Sequence, residues 1–167
     1  TASNNTAFGS QALLSNTTGT QNVAVGFAAL DAVTTSSYNT AVGYNALTAN
    51  TAEDNTAVGR AALSNNTTGT DNTSVGKGSL AQNTTASNNT AVGTEALGLN
   101  TTGENNVAVG QNAGDVTTTG SNNVCIGVST DPSANNESNA ICIGYNIVAS
   151  GNDFSFGKAS NVVTNDF

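Results

Sequence analysis

The side chains able to do chemistry are few and scattered. Among 167 residues there is no histidine, and three cations, Arg60, Lys77 and Lys158, stand against eleven carboxylates, for a net charge of −8. Without histidine the usual general base is missing, and the carboxylates do not converge in the sequence, so the chain reads as non-enzymatic, with no cofactor. Asp54 and Asp71, with Glu53 beside the first, read as solvated turn carboxylates rather than as a cation site. Cys125 and Cys142 lie 17 residues apart. They read as two buried thiols used as small apolar residues. A disulfide stays open, because strands stacked at ~4.8 Å bring paired Cα atoms inside the disulfide range; no metal site is expected. Gly76-Lys77-Gly78 precedes no helical pattern, and no phosphate loop is expected from it. Three cations do not make a nucleic-acid surface. The longest apolar runs are a few residues, which predicts no membrane insertion. The opening Thr1-Ala2-Ser3-Asn4 resembles neither a signal peptide nor a natural start, so the chain reads as a piece of something longer.

Positions for these residues are set by a repeat. Asn39-Thr40-Ala41-Val42-Gly43 recurs along the chain, its glycine falling at Gly9, Gly26, Gly43, Gly59, Gly76, Gly93, Gly110, Gly127, Gly144 and Gly157, in steps of 17 residues with one of 16 and a last of 13. A fixed period of this length predicts one supersecondary unit per repeat, stacked on its neighbours. The apolar windows are too short for helices, and Gly and Asn-Thr-Thr interrupt any stripe of helical period. Each repeat therefore reads as a strand, a tight turn at glycine, a second short strand and a longer closing turn such as Asn66 to Gly69.

Directly before the glycines stand Val25, Val42, Val58, Val75, Val92, Val109, Ile126 and Ile143, a β-branched column expected to fill the core. Before those stand Ala24, Ala41, Ala57, Ser74, Ala91, Ala108, Cys125 and Cys142, uniformly small. Smallness in every repeat suggests close approach by another copy of the chain, and these residues are expected to pack a trimer. Leu13, Leu30, Leu47, Leu63, Leu80 and Leu97 are expected to meet the valines across the coil, with Val148 partly resuming their column after a lapse at Gly114 and Asp131. Asn5, Asn22, Asn39, Asn55, Asn72, Asn89, Asn106 and Asn123 suggest a ladder of hydrogen-bonded amides. The residue after each glycine varies freely, and in that outward column Phe27 and Tyr44 are the candidate surface contact, with cross-rung packing as the other reading.

The recurrent Asn-[Thr/Val]-Ala-Val-Gly, with Asn139-Ala140-Ile141-Cys142-Ile143-Gly144 as its nearest variant, resembles the head repeat of YadA-like trimeric adhesins. Asn39 to Leu47 and the Asn-Thr-Thr-Gly turns are more similar still to the repeat regions of bacteriophage tail fibres, especially marine ones. Gly151 to Asn161, leading into Val162 to Phe167, is similar to the segment preceding a self-cleaving chaperone domain in such fibres. These resemblances imply an all-β, left-handed parallel β-roll of about ten 17-residue rungs, assembled as a homotrimer. Residues 1–150 would form the roll and 151–167 a shortened last rung and cap, with Phe154, Phe156 and Phe167 covering the open end of the core. The implied function is a structural and adhesive fibre segment on the virion that spaces or presents host-receptor binding, with a host-cell glycan or protein as partner. The alternative is the head of a bacterial cell-surface adhesin. A third reading takes the paired threonines, Thr17-Thr18 through Thr118-Thr119, as an ice-binding array.

Overall fold

The computed structural model describes residues 1–166, and Phe167 lies outside the described residues. The described residues contain strands and turns and no helix. Eight strands of three residues each open the fold: β1 (Thr6–Phe8), β2 (Val23–Val25), β3 (Thr40–Val42), β4 (Thr56–Val58), β5 (Thr73–Val75), β6 (Thr90–Val92), β7 (Val107–Val109) and β8 (Val124–Ile126). They stack in sequence order as a parallel sheet, which continues through β10 (Ile141–Tyr145) to β12 (Asp153–Lys158). A second, two-stranded parallel sheet pairs β9 (Asp131–Pro132) with β11 (Val148–Ala149). The result is a parallel β-solenoid of about nine turns. It ends where β13 (Asn161–Asp166) folds back antiparallel on β12.

Register follows the repeat residue for residue: Ala24 lies opposite Ala41, Ala108 opposite Cys125, and Cys142 opposite Ser155. The motif glycines enforce it. At Gly93, φ is +142°, and a Cβ there would stand 2.3 Å from the carbonyl oxygen of Gly110 in the next rung, so only glycine lets the rungs close to hydrogen-bonding distance.

The interior differs from the expected one. Ala24, Ala41, Ala57, Ser74, Ala91, Ala108, Cys125 and Cys142 point into the coil and are sealed from solvent, packed with Leu30, Leu47, Leu63, Leu80 and Leu97 from the opposite wall. Val25, Val42, Val75 and Ile143 are half-buried on the outer face, where Val58, Val92, Val109 and Ile126 are 36 to 39% exposed. The valines expected in the core therefore lie outside it, and the small residues expected to face another copy line the interior instead. Alternation along a three-residue strand separates the two faces without saying which is inner. The lumen is narrow: Leu80, Ser79 and Ser74 with the buried asparagines of one rung already fill it, and smallness is what that width demands.

The second short strand is also corrected. Only β9 and β11 are extended there, because after each glycine from Gly9 to Gly110 two corner residues adopt the left-handed conformation, for example Ala61 (φ 56°) and Leu63 (φ 52°), whereas after Gly127 and Gly144 only Ser129 and Asn146 do. Main-chain bonds still run along the rod at these corners, as from Leu63 N–H to Ser79 O at 3.0 Å. Where the leucine column lapses, it is Ile147 that returns to the core, while Val148 is exposed. Phe154 and Phe156 pair in register with Ile141 and Ile143, so they prolong the outer columns instead of covering the lumen; Ser155 between them is the buried residue.

Two asparagine files tie the rungs together. In the first, Asn39 N–H donates to Asn22 Oδ1 at 2.9 Å while Asn39 Nδ2 donates to Ala52 O at 2.8 Å, and the pattern repeats along the rod. The second was not singled out in the sequence, although its residues stand seven after the glycine. Asn66 Nδ2 donates to Asn50 Oδ1 at 2.7 Å, Asn83 to Asn66 at 2.8 Å and Asn100 to Asn83 at 3.1 Å, all fully buried.

Candidate functional site

Surface identity is carried by the residues that the repeat leaves free. The position after each glycine forms one file, because Asn45 N–H bonds to Phe27 O, Ala61 N–H to Tyr44 O, Gly78 N–H to Arg60 O and Glu95 N–H to Lys77 O, at 2.9 to 3.0 Å. Phe27, Tyr44, Arg60 and Lys77 therefore stand on successive rungs, all exposed. The structure brings the predicted pair together: the Phe27 and Tyr44 rings stack at 5.4 Å between centroids, 14° from parallel. That is cross-rung packing, and it coexists with exposure of 44% and 52%.

Beyond the aromatic pair the surface is indented. A groove of about 370 Å³ runs over four successive rungs, lined by Arg60 and Ala61, then Lys77, Gly78 and Ala81, then Glu95, Gly98 and Leu99, and last Asp115. Its origin is local loss of side chains. Two residues past the glycine other rungs carry Asn45, Glu95 or Asn112, where these have Ala61 and Gly78; five past it, others carry Asp31, Thr48 or Asp115, where these have Ala81 and Gly98. Sequence reasoning passed over this patch, whose signal was a run of two small residues on successive rungs in each of two columns, Ala61 and Gly78 in one and Ala81 and Gly98 in the other. Lys77 Nζ lies 3.6 Å from Glu95 Oε1.

A carboxyl pair links Asp115 of the groove to Asp131 in the next rung. Asp131 and Asp115 hydrogen-bond to each other; burial first, then the Asp115 charge, pushes Asp131 up to about 6, although Val116 and Asp115 N–H groups favour its anion. Burial also raises Asp115, opposed by the bond from Asp131. Asp54 and Asp71 are exposed turn residues, both with positive φ. Cys125 and Cys142 are free buried thiols with Sγ atoms 3.6 Å apart. The hydrogen bond to Cys142, and then burial, hold the Cys125 thiol far above the ordinary thiol range, which makes it a poor nucleophile.

The threonine pairs divide their work. In the pairs that begin at Thr17, Thr67, Thr84, Thr101 and Thr118 the first hydroxyl donates along the rod, as from Thr67 Oγ1 to Thr84 O at 2.8 Å and Thr101 Oγ1 to Thr118 O at 2.9 Å. The second threonine faces outward, but that file is broken between Thr35 and Thr68, where the 16-residue step omits it.

The remaining feature is the outer face of the long sheet. One of its columns, Val25 through Ile143, forms a half-exposed apolar stripe along the rod, flanked by Val23, Val107, Val124 and Ile141 and by the threonines Thr40, Thr56, Thr73 and Thr90, with Phe8 76% and Phe156 52% exposed near the ends. No helix of the described residues is long and apolar enough to cross a membrane. Comparison with protein-family models, with curated proteins and with solved structures finds no match to this chain.

Proposed function

We propose that the chain is a non-enzymatic, load-bearing segment of a bacteriophage tail fibre, displayed on the virion, in which three copies pack side by side and space or present a host-receptor contact. The observation that carries this reading is the outer stripe. A monomeric solenoid facing water would place polar side chains on that face, yet β-branched apolar residues occupy one of its columns in every rung from Val25 to Ile143. Contiguous exposed apolar area of this kind marks an interaction surface, and a surface with the period of the rod itself is matched by another rod of the same period. Copies would meet through the valines, with the alanines of each chain remaining inside their own coil.

The ice-binding alternative draws less support, since the first hydroxyl of most threonine pairs is committed to a main-chain carbonyl and the outward file is interrupted.

The mass of the particle in solution tests the assembly. Light scattering is expected to give three times the 16.5 kDa chain mass. Val92→Asp, at the middle of the stripe and already partly exposed, is expected to dissociate the particle without unfolding the coil. A wild-type monomer at micromolar concentration would overturn the assembly.

A further inference from the structure

The groove beside the aromatic pair has features that the repeat does not require. Small residues line it on successive rungs, Ala61 then Gly78 and Ala81 then Gly98, before Glu95 and Asp115 take the same repeat positions, and it holds two of the three cations in the chain. Lys77 is paired with Glu95, which leaves Arg60 as a guanidinium with no carboxylate partner among the described residues, exposed at one end. Asp115 stands at the other end, three rungs on, or roughly 14 Å at the usual strand spacing. On a molecule of net charge −8, an anion is repelled from most of the surface and meets favourable charge at the Arg60 end of this groove. The rest of the lining suits a polyhydroxylated ring: carboxylates and an ammonium to exchange hydrogen bonds with hydroxyls, and Leu99 with the Ala61 and Ala81 methyls to meet C–H faces.

We propose that this groove binds an acidic saccharide, with the sugar carboxylate on the Arg60 guanidinium and its rings lying over Gly78 and Ala81 against Leu99. The guanidinium fork matches a carboxylate in two parallel hydrogen bonds. The Asp115 carboxylate at the opposite end fixes the direction of the sugar by repelling a second acidic group. Exposed Tyr44, one rung before Arg60 in the same file, continues the surface beyond the groove. This inference rests on reading the chain as a displayed rod that meets host surfaces, and it gives that contact a location and a chemistry.

Short oligogalacturonates are the probe, titrated into the assembled protein with amide NMR shifts and calorimetry as readouts. Shifts are expected at Gly78, Gly98 and Leu99, and Arg60→Gln is expected to weaken binding by about 10-fold or more. Gly78→Asn is the second variant: Asn45 and Asn112 hold the same left-handed corner in other rungs, and a Cβ at residue 78 would come no closer than 3.4 Å to the Glu95 Cγ, so the fold is kept while the floor is filled. It is expected to abolish binding. Absence of shifts in the wild type, equal binding by either variant, or equal shifts from neutral maltooligosaccharides or a polyglutamate peptide would each overturn the proposal. Particle mass separates the two readings: a trimer that ignores the sugar overturns the groove alone, and a monomer that binds it overturns the assembly alone.

Discussion

Asp131 is the residue through which pH acts on the coil. Its ordinary value of 3.8 is raised to about 6 by burial and by the Asp115 charge, so the folded chain holds this proton more tightly than the unfolded chain does. Its contribution to stability is therefore greatest below the unfolded value and is lost as pH rises toward 6. Asp131→Asn keeps an oxygen to accept from Val116 N–H and removes the charge. The variant is expected to melt higher than wild type at about pH 8, and the advantage should vanish at about pH 4; equal melting temperatures at both would refute the coupling. The Asp115–Asp131 pair could not be read from the sequence, because Asp115 stands five residues past its glycine and Asp131 four. By contrast, the cysteine pair was legible from the period alone, and the open question of a disulfide resolves to two free thiols. The valines were misjudged for a reason of volume. Hydrophobicity ranks valine above alanine for burial, but a lumen that holds one leucine per rung has width only for alanine, serine or cysteine on the facing strand.

Each rung is held by two kinds of element, a three-residue strand and a glycine corner, and the corner sets the tolerance of the fold. The motif glycine combines φ near +140° with main-chain contact to the next rung, so Gly93→Ala forces both a strained backbone and a clash with Gly110 O. A loss of about 3–4 kcal/mol is expected in denaturant unfolding. A loss under about 1 kcal/mol would show that the rungs can separate locally without cost to the rest. The corner leucines are the less expected observation. Leucine in the left-handed region is unfavourable by about 1–2 kcal/mol, yet Leu30, Leu47, Leu63, Leu80 and Leu97 all adopt it while filling the core. Strand positions and glycine register were legible because both recur at fixed spacing. The corner conformation was not, because an alanine-leucine pair carries no turn signal, and its left-handed state is imposed by the rung that must close around it.

Along the whole molecule, contacts pass between neighbouring rungs, so stability is expected to follow position as in other one-dimensional arrays. The two ends differ. β12 is covered by antiparallel β13, whereas β1 is an edge strand with one partner and an exposed Phe8. Hydrogen exchange is expected to fray from residues 6–14 inward, with the Asn66, Asn83 and Asn100 file protected longest; uniform protection from end to end would contradict this order. The architecture was legible at this scale more fully than at any other, since a period of 17 with a phase-locked glycine admits few solutions besides a stack. What the repeat concealed was the place where it fails, the groove, whose meaning lies in missing side chains.

The inter-rung carbonyl and amide bonds described above also decide how such a rod would respond to tension. Pulled from its two ends, it would give way one coil at a time, each release paying out 17 residues, or ~55–60 Å of extended chain, before the next coil takes the force. A solenoid built this way lengthens in steps instead of snapping.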